Sequence, residues 1–300
     1  MELIFLGTSS AVHSKERNHP SIALKAFGEI MLFDCGEATQ RQLIYTNVSP
    51  MKISKIFISH FHGDHILGLP GLLQSMSLLG REKKITIYGP KGLGMLENAI
   101  YSLGYCKIEY PVEFVEIDSG IVEETEEYII SSQLVHHNVP NLAYSIEEKK
   151  KPRFLREKAI ELGVPVGPAF GRLHNGEEVE VDGKIIKPEQ VLGEPRKGIK
   201  ITYSGDTIPC EEMIEFAKES TLLIHESTFT KEDYLNAEEH FHSTSVGAAQ
   251  VAKESNSKKL ILTHISTRYG ENYARMMMKE AKEVFENTML AHDFLELKLR

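Results

Sequence analysis

The chain alternates short continuous apolar runs with longer stretches in which apolar residues recur every three to four positions. Runs rich in β-branched and aromatic residues predict buried strands, and the longer period predicts helices that pack by one face. The expected strands are 2–8, 21–34 (as two strands), 52–59, 85–90, 112–118, 128–137, 142–148, 198–207, 221–228, 258–264 and 289–298. The expected helices are 37–46, 65–80, 91–104, 210–219, 243–255 and 272–286.

Strands and helices alternate through most of the chain, and each half begins with strands. This order predicts an α/β fold in which two sheets pack face to face with helices outside. A length of 300 residues suits one domain with a large core, so we expect a single domain spanning 1–300.

The pattern breaks at Lys149. From there to Lys200 the chain holds five prolines and twelve Lys and Arg against eight Asp and Glu, whereas the whole chain has a net charge of −9. Such a basic segment in an acidic body is the one clear shift in composition. It has few apolar residues for a core of its own. We therefore expect an inserted basic arm at 149–198.

The remaining composition limits the class of protein. The sequence contains no run of about 18 apolar residues, so it predicts no transmembrane helix. The first residues, MELIFLGTSS, lack the basic start of a signal peptide. Cys35, Cys106 and Cys210 are too few and too scattered for a disulfide framework, which favours a reducing, cytoplasmic location. The acidic net charge argues against nucleic-acid binding over the whole surface, although a local basic patch remains compatible with it.

The most informative stretch is 57–73, FISHFHGDHILGLPGLL. Three histidines and an aspartate follow a buried strand and precede a helix: His60, His62, Asp64 and His65. Buried imidazoles and carboxylates cost free energy unless they are paired, and metal ions would satisfy all four. Nitrogen and oxygen ligands suit zinc, and less specifically manganese or iron.

Further ligands are expected where later strands end, since functional side chains often lie at such positions. His136 or His137 follows SSQLV, Asp206 follows KITYSG, and His264 follows LILT. Asp206 is a carboxylate that could bridge two cations. The residues alone leave the choice between His136 and His137 open.

With these pieces the sequence resembles the metallo-β-lactamase superfamily, and within it the tRNase Z family, over essentially its whole length. The resemblance implies an αββα sandwich of two mixed sheets and two Zn²⁺ per subunit. It assigns His60, His62 and His137 to one metal, Asp64, His65 and His264 to the other, and Asp206 to both. His137 is preferred because Tyr144 follows it at the family's seven-residue spacing.

Three more motifs resemble that family. His225-Glu226-Ser227-Thr228 is similar to its HEAT motif, and His242-Ser243-Thr244 matches its HST motif. The segment 13–18, HSKERN, is similar to a family loop but lacks that loop's proline. The arm resembles the family's tRNA-gripping exosite. The residues implied in substrate binding are Lys15, Arg17, Asn18, Lys151, Arg153, Gly167, Pro168, Arg172 and Arg268.

The resemblance implies a zinc-dependent endoribonuclease that removes the 3′ trailer of precursor tRNA, working as a homodimer whose arm reaches the partner's substrate. Asp64 is expected to orient the attacking water and accept its proton, and His242, held by Glu226, to protonate the leaving oxygen. The products would be a tRNA with a 3′-hydroxyl and a trailer with a 5′-phosphate. The alternatives are a small-molecule hydrolase of the same fold, such as a phosphodiesterase, and a non-catalytic metal-stabilised RNA-binding protein.

Overall fold

A computed structural model describes residues 1–105 and 107–299. Its strands are β1 Glu2–Gly7, β2 Ser21–Ala26, β3 Glu29–Phe33, β4 Ile53–Phe57, β5 Ile85–Gly89, β6 Val112–Glu116, β7 Gly120–Glu124, β8 Tyr128–Val135, β9 Asn141–Lys150, β10 Val179–Val181, β11 Lys184–Ile186, β12 Arg196–Tyr203, β13 Leu222–Glu226, β14 Leu260–Thr263, β15 Thr288–Leu290 and β16 Glu296–Lys298. Its helices are α1 Thr39–Ile44, α2 Gly63–Ile66, α3 Leu69–Leu78, α4 Leu93–Ser102, α5 Arg156–Glu161, α6 Pro168–His174, α7 Glu211–Phe216, α8 Tyr234–Glu239, α9 Ser245–Glu254 and α10 Glu271–Val284. Single 3₁₀ turns occur at Pro50–Lys52, Pro188–Gln190 and Lys231–Asp233.

Two seven-stranded sheets carry the fold, in the orders β16-β1-β2-β3-β4-β5-β6 and β15-β14-β13-β12-β9-β8-β7. Each sheet is mixed. In the first, β3 to β6 pair in parallel and β16, β1, β2 and β3 pair antiparallel. In the second, β12 to β15 pair in parallel and β7 and β8 pair antiparallel. The predicted αββα architecture is therefore confirmed.

Aromatic side chains join the inner faces of the two sheets. Phe33 and Phe57 of the first sheet pack against Tyr144 and Tyr203 of the second, with ring centroids 5.2–6.2 Å apart. Such pairs bury large apolar areas and add about 0.5–1.5 kcal/mol beyond that burial. The Tyr144 hydroxyl donates to the Ile58 carbonyl at 2.7 Å, so this layer also fixes the end of β4.

Helices cover both outer faces. Leu43 of α1, Leu72 of α3 and Ile100 of α4 pack on the first sheet. Met213 of α7 and Val251 of α9 pack on the second. Buried residues recur every three to four positions along such a helix, as Leu69, Leu72, Leu73 and Met76 do in α3. This period is what indicated the helices in the sequence.

Two of the predicted elements are each divided in the structure. The strand expected at 289–298 is two strands, β15 in the second sheet and β16 in the first, because Phe294 has a φ of 65° and breaks the extended backbone. The helix expected at 65–80 is interrupted at Gly68, where a Cβ would lie 1.9 Å from the Gly36 carbonyl oxygen. Only glycine allows so close a backbone approach.

The chain divides into two compact units, 1–124 with 129–146 and 199–300, and 125–128 with 147–198. The second unit contains the inserted arm, which was expected to have too few apolar residues to fold alone, and it has a small apolar cluster that was not predicted. Val164, Leu173, Val179 and Ile186 are buried in a small cluster of their own. Asp182-Gly183, at φ values of 50° and 73°, closes the β10–β11 hairpin, a turn signal that the sequence analysis overlooked.

Candidate metal centre and active site

The turn after β4 carries four side chains into one cluster. His60 and His65 are completely buried, Asp64 is nearly so, and His62 is half-buried. The Nε2 atom of His60 lies 3.0 Å from the Nδ1 atom of His62, and Nε2 of His65 lies 3.4 Å from Oδ2 of Asp64. The turn is compact because α2 begins at Gly63, immediately after His62.

Three further residues arrive from the second sheet. His137 follows β8, Asp206 follows β12 and His264 follows β14 directly. Strands β12, β13 and β14 run in parallel, so their carboxyl ends lie at the same edge of the sheet. This topology brings together residues as distant in the chain as Asp64 and His264, which are 200 positions apart.

The seven side chains form two groups whose ligand atoms lie within 4.8 Å of one another: His60, His62, His137 and Asp206 in one, and Asp64, His65 and His264 in the other. Oδ2 of Asp206 also lies 3.4 Å from Nε2 of His65 and 3.3 Å from Nε2 of His264, so this carboxylate adjoins both groups. His136 points elsewhere, toward Glu212.

These groups fit divalent cations. Tetrahedral zinc with nitrogen ligands at 2.0–2.1 Å sets neighbouring ligand atoms about 3.3 Å apart. The nitrogens of His62 and His137 are 3.3 Å apart, and those of His65 and His264 are 3.4 Å apart. Oδ1 of Asp206 is buried without a hydrogen-bond partner, which a cation would supply.

An outer layer of hydrogen bonds orients the imidazoles. Asp34 accepts from Nδ1 of His65 at 2.8 Å, and Tyr203 and Ser59 donate to the same carboxylate. Thr228 contacts Nδ1 of His264 at 2.8 Å. Such contacts fix the ring tautomer and leave Nε2 as the ligand atom.

Backbone strain accompanies this arrangement. Asp34 and His264 have φ values of 57° and 60°, in the left-handed region that side chains other than glycine rarely adopt. Gly205, beside Asp206, has a φ of 59°, and a Cβ there would lie 2.8–3.0 Å from Asn141 and Ser59. Strain of this kind is retained where the surrounding structure holds a functional side chain in place.

Burial and the neighbouring carboxylates determine the charge state of each residue in the cluster. Burial lowers the pKa of His60, His62 and His137, so these rings remain neutral and available as ligands. For His65, burial opposes the charged form, but the carboxylates of Asp206 and Asp34 outweigh it and hold its pKa well above the ordinary value. For Asp206, burial disfavours ionisation, yet neighbouring histidines hold its pKa well below the usual range.

A carboxylate–histidine pair lies beside the cluster. Nδ1 of His242 lies 2.8 Å from Oε1 of Glu226, whose oxygens also accept from the backbone of Ser243 and from Thr228. Burial disfavours the His242 cation, but the Glu226 charge outweighs it and raises the pKa of His242 to about 9. Glu226 is itself 1% exposed, so it is an internal anchor for this ring.

The cluster opens into a cavity of about 840 Å³. Its wall includes metal-centre residues together with His13, His242 and Arg268. Arg268 is exposed, with its guanidinium 5.2 Å from the Phe229 ring centroid. The cavity is large enough for a nucleotide-sized group and remains open to solvent.

The loop 13–18 only partly matches its expected role. Lys15 is exposed and the Asn18 amide donates to the Glu37 carbonyl. Arg17, however, is 6% exposed, and its Nη1 donates to Thr8 and to the Ala291 carbonyl. The guanidinium of Arg17 thus supports the loop from inside, whereas a contact with substrate stays a prediction for this residue.

The arm residues expected to bind substrate are on the surface of their own unit. Lys151, Arg153, Gly167, Pro168 and Arg172 are all exposed. Arg172 forms a 3.0 Å ion pair with Glu177, and Lys151 donates to Asn175 at 2.9 Å. An exposed pair of this kind is worth at most about 1 kcal/mol, so it would yield readily to a phosphate.

The sequence assigned no positioning role to four residues that have one in the structure, and Thr228 was named only as part of the motif 225–228: Asp34, Ser59, Tyr203 and Thr228. Asp34 had a usable signal, a carboxylate directly after the buried strand β3. Ser59 and Tyr203 had none, because small polar and aromatic residues at strand ends are common in any sheet protein.

Among the residues that the structure describes, none of the helices has the length and apolar character needed to span a membrane.

The two sheets and the histidine–aspartate groups beside them define a metallohydrolase of the metallo-β-lactamase superfamily. The family model described as beta-lactamase superfamily domain matches residues 186–265, and that described as anti-Pycsar protein Apyc1 matches 1–97. The crystal structure of human tRNase Z, short form, superposes with a TM-score of 0.72 at 28% identity and 100% coverage of both chains. A diphosphatase from the PhnP family shares the fold, with a TM-score of 0.66 at 17% identity, 100% coverage of this chain and 98% of that one.

Full-length relatives narrow the assignment. The chain is 52% identical to ribonuclease Z of Methanothermobacter thermautotrophicus, covering 100% of this chain and 97% of the relative. It is 44% identical to ribonuclease Z of Bacillus licheniformis, with 100% and 99% coverage. The chain belongs to the ribonuclease Z family.

Proposed function

We propose that this protein is the endoribonuclease that removes the 3′ trailer of precursor tRNA. The observation that carries the proposal is the Glu226–His242 pair beside two metal-ligand groups, in a chain 52% identical over its full length to a ribonuclease Z. A small-molecule hydrolase needs the metal groups but has no evident use for a basic 50-residue arm. A cytoplasmic location, expected from the cysteines, accompanies the proposal.

The two ligand groups would each hold a divalent cation, and Asp206 adjoins both groups. Histidine and carboxylate ligands favour Zn²⁺, and Mn²⁺ or Fe²⁺ also suit them. When bound, such ions act as Lewis acids at phosphoryl oxygens and lower the pKa of water. Loss of activity in a chelator, with recovery graded among the three metals, would identify the preferred ion.

The chain's own residues account for orientation and proton transfer. Asp64 orients the attacking water and accepts its proton, since its carboxylate adjoins His65 and His264. His242 donates a proton to the departing ribose 3′-oxygen from Nε2, because Glu226 engages Nδ1. The products are then a tRNA 3′-hydroxyl and a trailer 5′-phosphate. End-group analysis that finds a 2′,3′-cyclic phosphate would contradict this direction of cleavage.

Substrate binding requires local positive charge in an acidic protein. Arg268 at the cavity and Lys15 and Asn18 in the loop 13–18 are in reach of solvent for phosphate contacts. The exposed cations of the arm would hold folded tRNA by its backbone and shape. We also propose that the protein is a homodimer in which each arm holds the tRNA cut by the partner subunit.

The first experiment compares cleavage of a precursor tRNA bearing a 3′ trailer with cleavage of a chromogenic phosphodiester. The metal-loaded protein should cut the precursor near the acceptor stem, and Asp64→Ala should abolish both activities. Asp118→Ala, which alters an exposed carboxylate, is the matched control and should change neither. Cleavage of the small ester with an intact precursor would instead favour the small-molecule phosphodiesterase.

A second experiment removes residues 152–196. Because the arm folds around its own apolar cluster, its removal should leave the metal centre intact. We expect KM for precursor tRNA to rise with little change in hydrolysis of the small ester. Loss of both activities together would show that the arm is needed for folding rather than for binding.

A further inference from the structure

A second cluster of metal-ligating side chains lies outside the active site. His136, the neighbour of His137, turns to the other side of the chain and places Nε2 3.3 Å from Oε1 of Glu212. The Cys210 thiol completes the group, and all three ligand atoms lie within 4.8 Å of one another. From the sequence, His136 is only an alternative to His137 as a ligand of the inner site.

The 3.3 Å between Nε2 of His136 and Oε1 of Glu212 matches the spacing of ligands around a bound cation, and the Cys210 sulfur lies within 4.8 Å of both. Tetrahedral zinc with sulfur, nitrogen and oxygen ligands at 2.0–2.3 Å sets ligand atoms about 3.3–3.7 Å apart. The His136 and Glu212 side chains are 53% and 44% exposed, so both can rotate by the small amount needed to close on an ion. Their exposure also leaves a fourth coordination position to water.

We infer that His136, Cys210 and Glu212 form a third metal site, selective for a thiophilic divalent cation such as Zn²⁺. Its ligand set contains one sulfur, one nitrogen and one oxygen, whereas the inner groups contain no sulfur. Sulfur favours zinc over manganese or magnesium, so the two kinds of site should differ in metal preference. On binding, the metal forms a bond to Sγ and the thiol proton leaves to solvent.

The chain around the cluster is already held in place. The Ile208 amide donates to the His136 carbonyl at 3.0 Å, which joins the segment after β8 to the segment before α7. The thiol of Cys210 is half-buried beside these joined segments, so little movement of the backbone is needed to bring it to a cation.

The same two segments carry ligands of the inner centre. His137 is the next residue after His136, and Asp206 lies four residues before Cys210. A cation in the outer site would cross-link these segments and so fix the positions of His137 and Asp206. The site itself does not depend on which phosphodiester the inner centre cleaves.

Cobalt substitution tests the inference without an activity assay. Thiolate-to-cobalt charge transfer gives near-ultraviolet absorption, and the inner ligands can give none because they lack sulfur. The metal-free protein titrated with Co²⁺ should develop this band, and Cys210→Ser should abolish it. Cys106→Ser is the matched control and should retain the band, because it removes a thiol that is not among the proposed ligands. Cys35 is fully buried in the core and is left unchanged in both variants.

His136→Asn and Glu212→Gln keep the thiol and should weaken cobalt binding at this site about tenfold or more. Both variants also test the site if Cys210→Ser fails to fold, because they leave Cys210 in place. Zinc content should fall by one equivalent per chain in Cys210→Ser and remain unchanged in Cys106→Ser. Three results would each overturn the inference and leave His136 and Glu212 as a pair without a metal. The first is a wild-type titration without the band, and the second is a band that survives in Cys210→Ser. The third is a cobalt affinity unchanged in both His136→Asn and Glu212→Gln.

Discussion

Replacement of Asp34 by asparagine is the sharpest test of how the inner centre is held. Oδ2 of Asp34 accepts hydrogen bonds from Ser59 at 2.9 Å, His65 at 2.8 Å and Tyr203 at 2.7 Å, and Oδ1 accepts from the Ser59 amide at 2.7 Å. Asparagine preserves the shape but turns one of these acceptors into a donor. Whichever way its amide is oriented, at least one buried donor then loses its partner.

The expected magnitude follows from that count. One buried unsatisfied donor costs about 1–3 kcal/mol, and the remaining bonds lose their ionic character, so the free energy of unfolding of the metal-free protein should fall by about 2–4 kcal/mol. Because Asp34 sets the tautomer of His65, zinc affinity should also fall about 10–100-fold. Tyr203→Phe removes one donor and strands none, so it should cost only about 1 kcal/mol.

The assay is urea unfolding of the metal-free protein, paired with competition for zinc against a chromophoric chelator. Asp118→Asn changes an exposed carboxylate and should match the wild type in both measurements. The free energy of unfolding should be highest for the wild type, lower for Tyr203→Phe and lowest for Asp34→Asn. If Asp34→Asn binds zinc within about twofold of the wild type, the argument that Asp34 orients His65 is refuted.

Three further outcomes are expected. Glu226→Gln should lower kcat for precursor tRNA by about 10²–10⁴-fold with KM and zinc content unchanged, because it loosens the proton donor His242 and removes no metal ligand; an equal loss of zinc would contradict this role. Gly205→Ala should destabilise the protein by about 1–3 kcal/mol in thermal unfolding, since its φ of 59° and its contact with Asn141 disfavour a Cβ; an unchanged melting temperature would count against it. Burial raises the pKa of Asp293 to about 6, although the backbone N–H of Asn18 donates to its carboxylate and opposes this shift. The protonated form therefore stabilises the fold below about pH 4, and that stability is lost as the pH rises through 6. In metal-free protein the wild type should thus lose up to about 3 kcal/mol relative to Asp293→Asn between pH 4 and 7, and a pH-independent difference would refute it.

The sequence was most informative where chemistry and local structure coincide. His60, His62, Asp64 and His65 follow a β-branched strand and precede an apolar helical repeat, so their spacing alone indicated that they meet. The positions of Asp206 and His264 after apolar runs indicated strand ends, and the packing of those runs into one parallel sheet brings the ends together. Periodicity located the helices of both outer layers for the same local reason.

Other features depend on contacts between distant residues. The sequence left Arg17 indistinguishable from an exposed RNA contact, and only packing against Thr8 and Ala291 turns it inward. The arm's core was missed because its apolar residues are scattered and meet only after two helices and a hairpin form.

The sequence by itself determined the class of fold, the inner ligand types and the basic insertion, because hydrophobic period, ligand chemistry and charge are properties of short segments. Tertiary structure alone decided that Asp34 holds His65 and that His136 leaves the inner centre for Cys210 and Glu212. Neighbouring residues on an extended chain face opposite sides, so a one-residue difference in register selects which histidine enters each site. That selection depends on strand packing across the whole molecule.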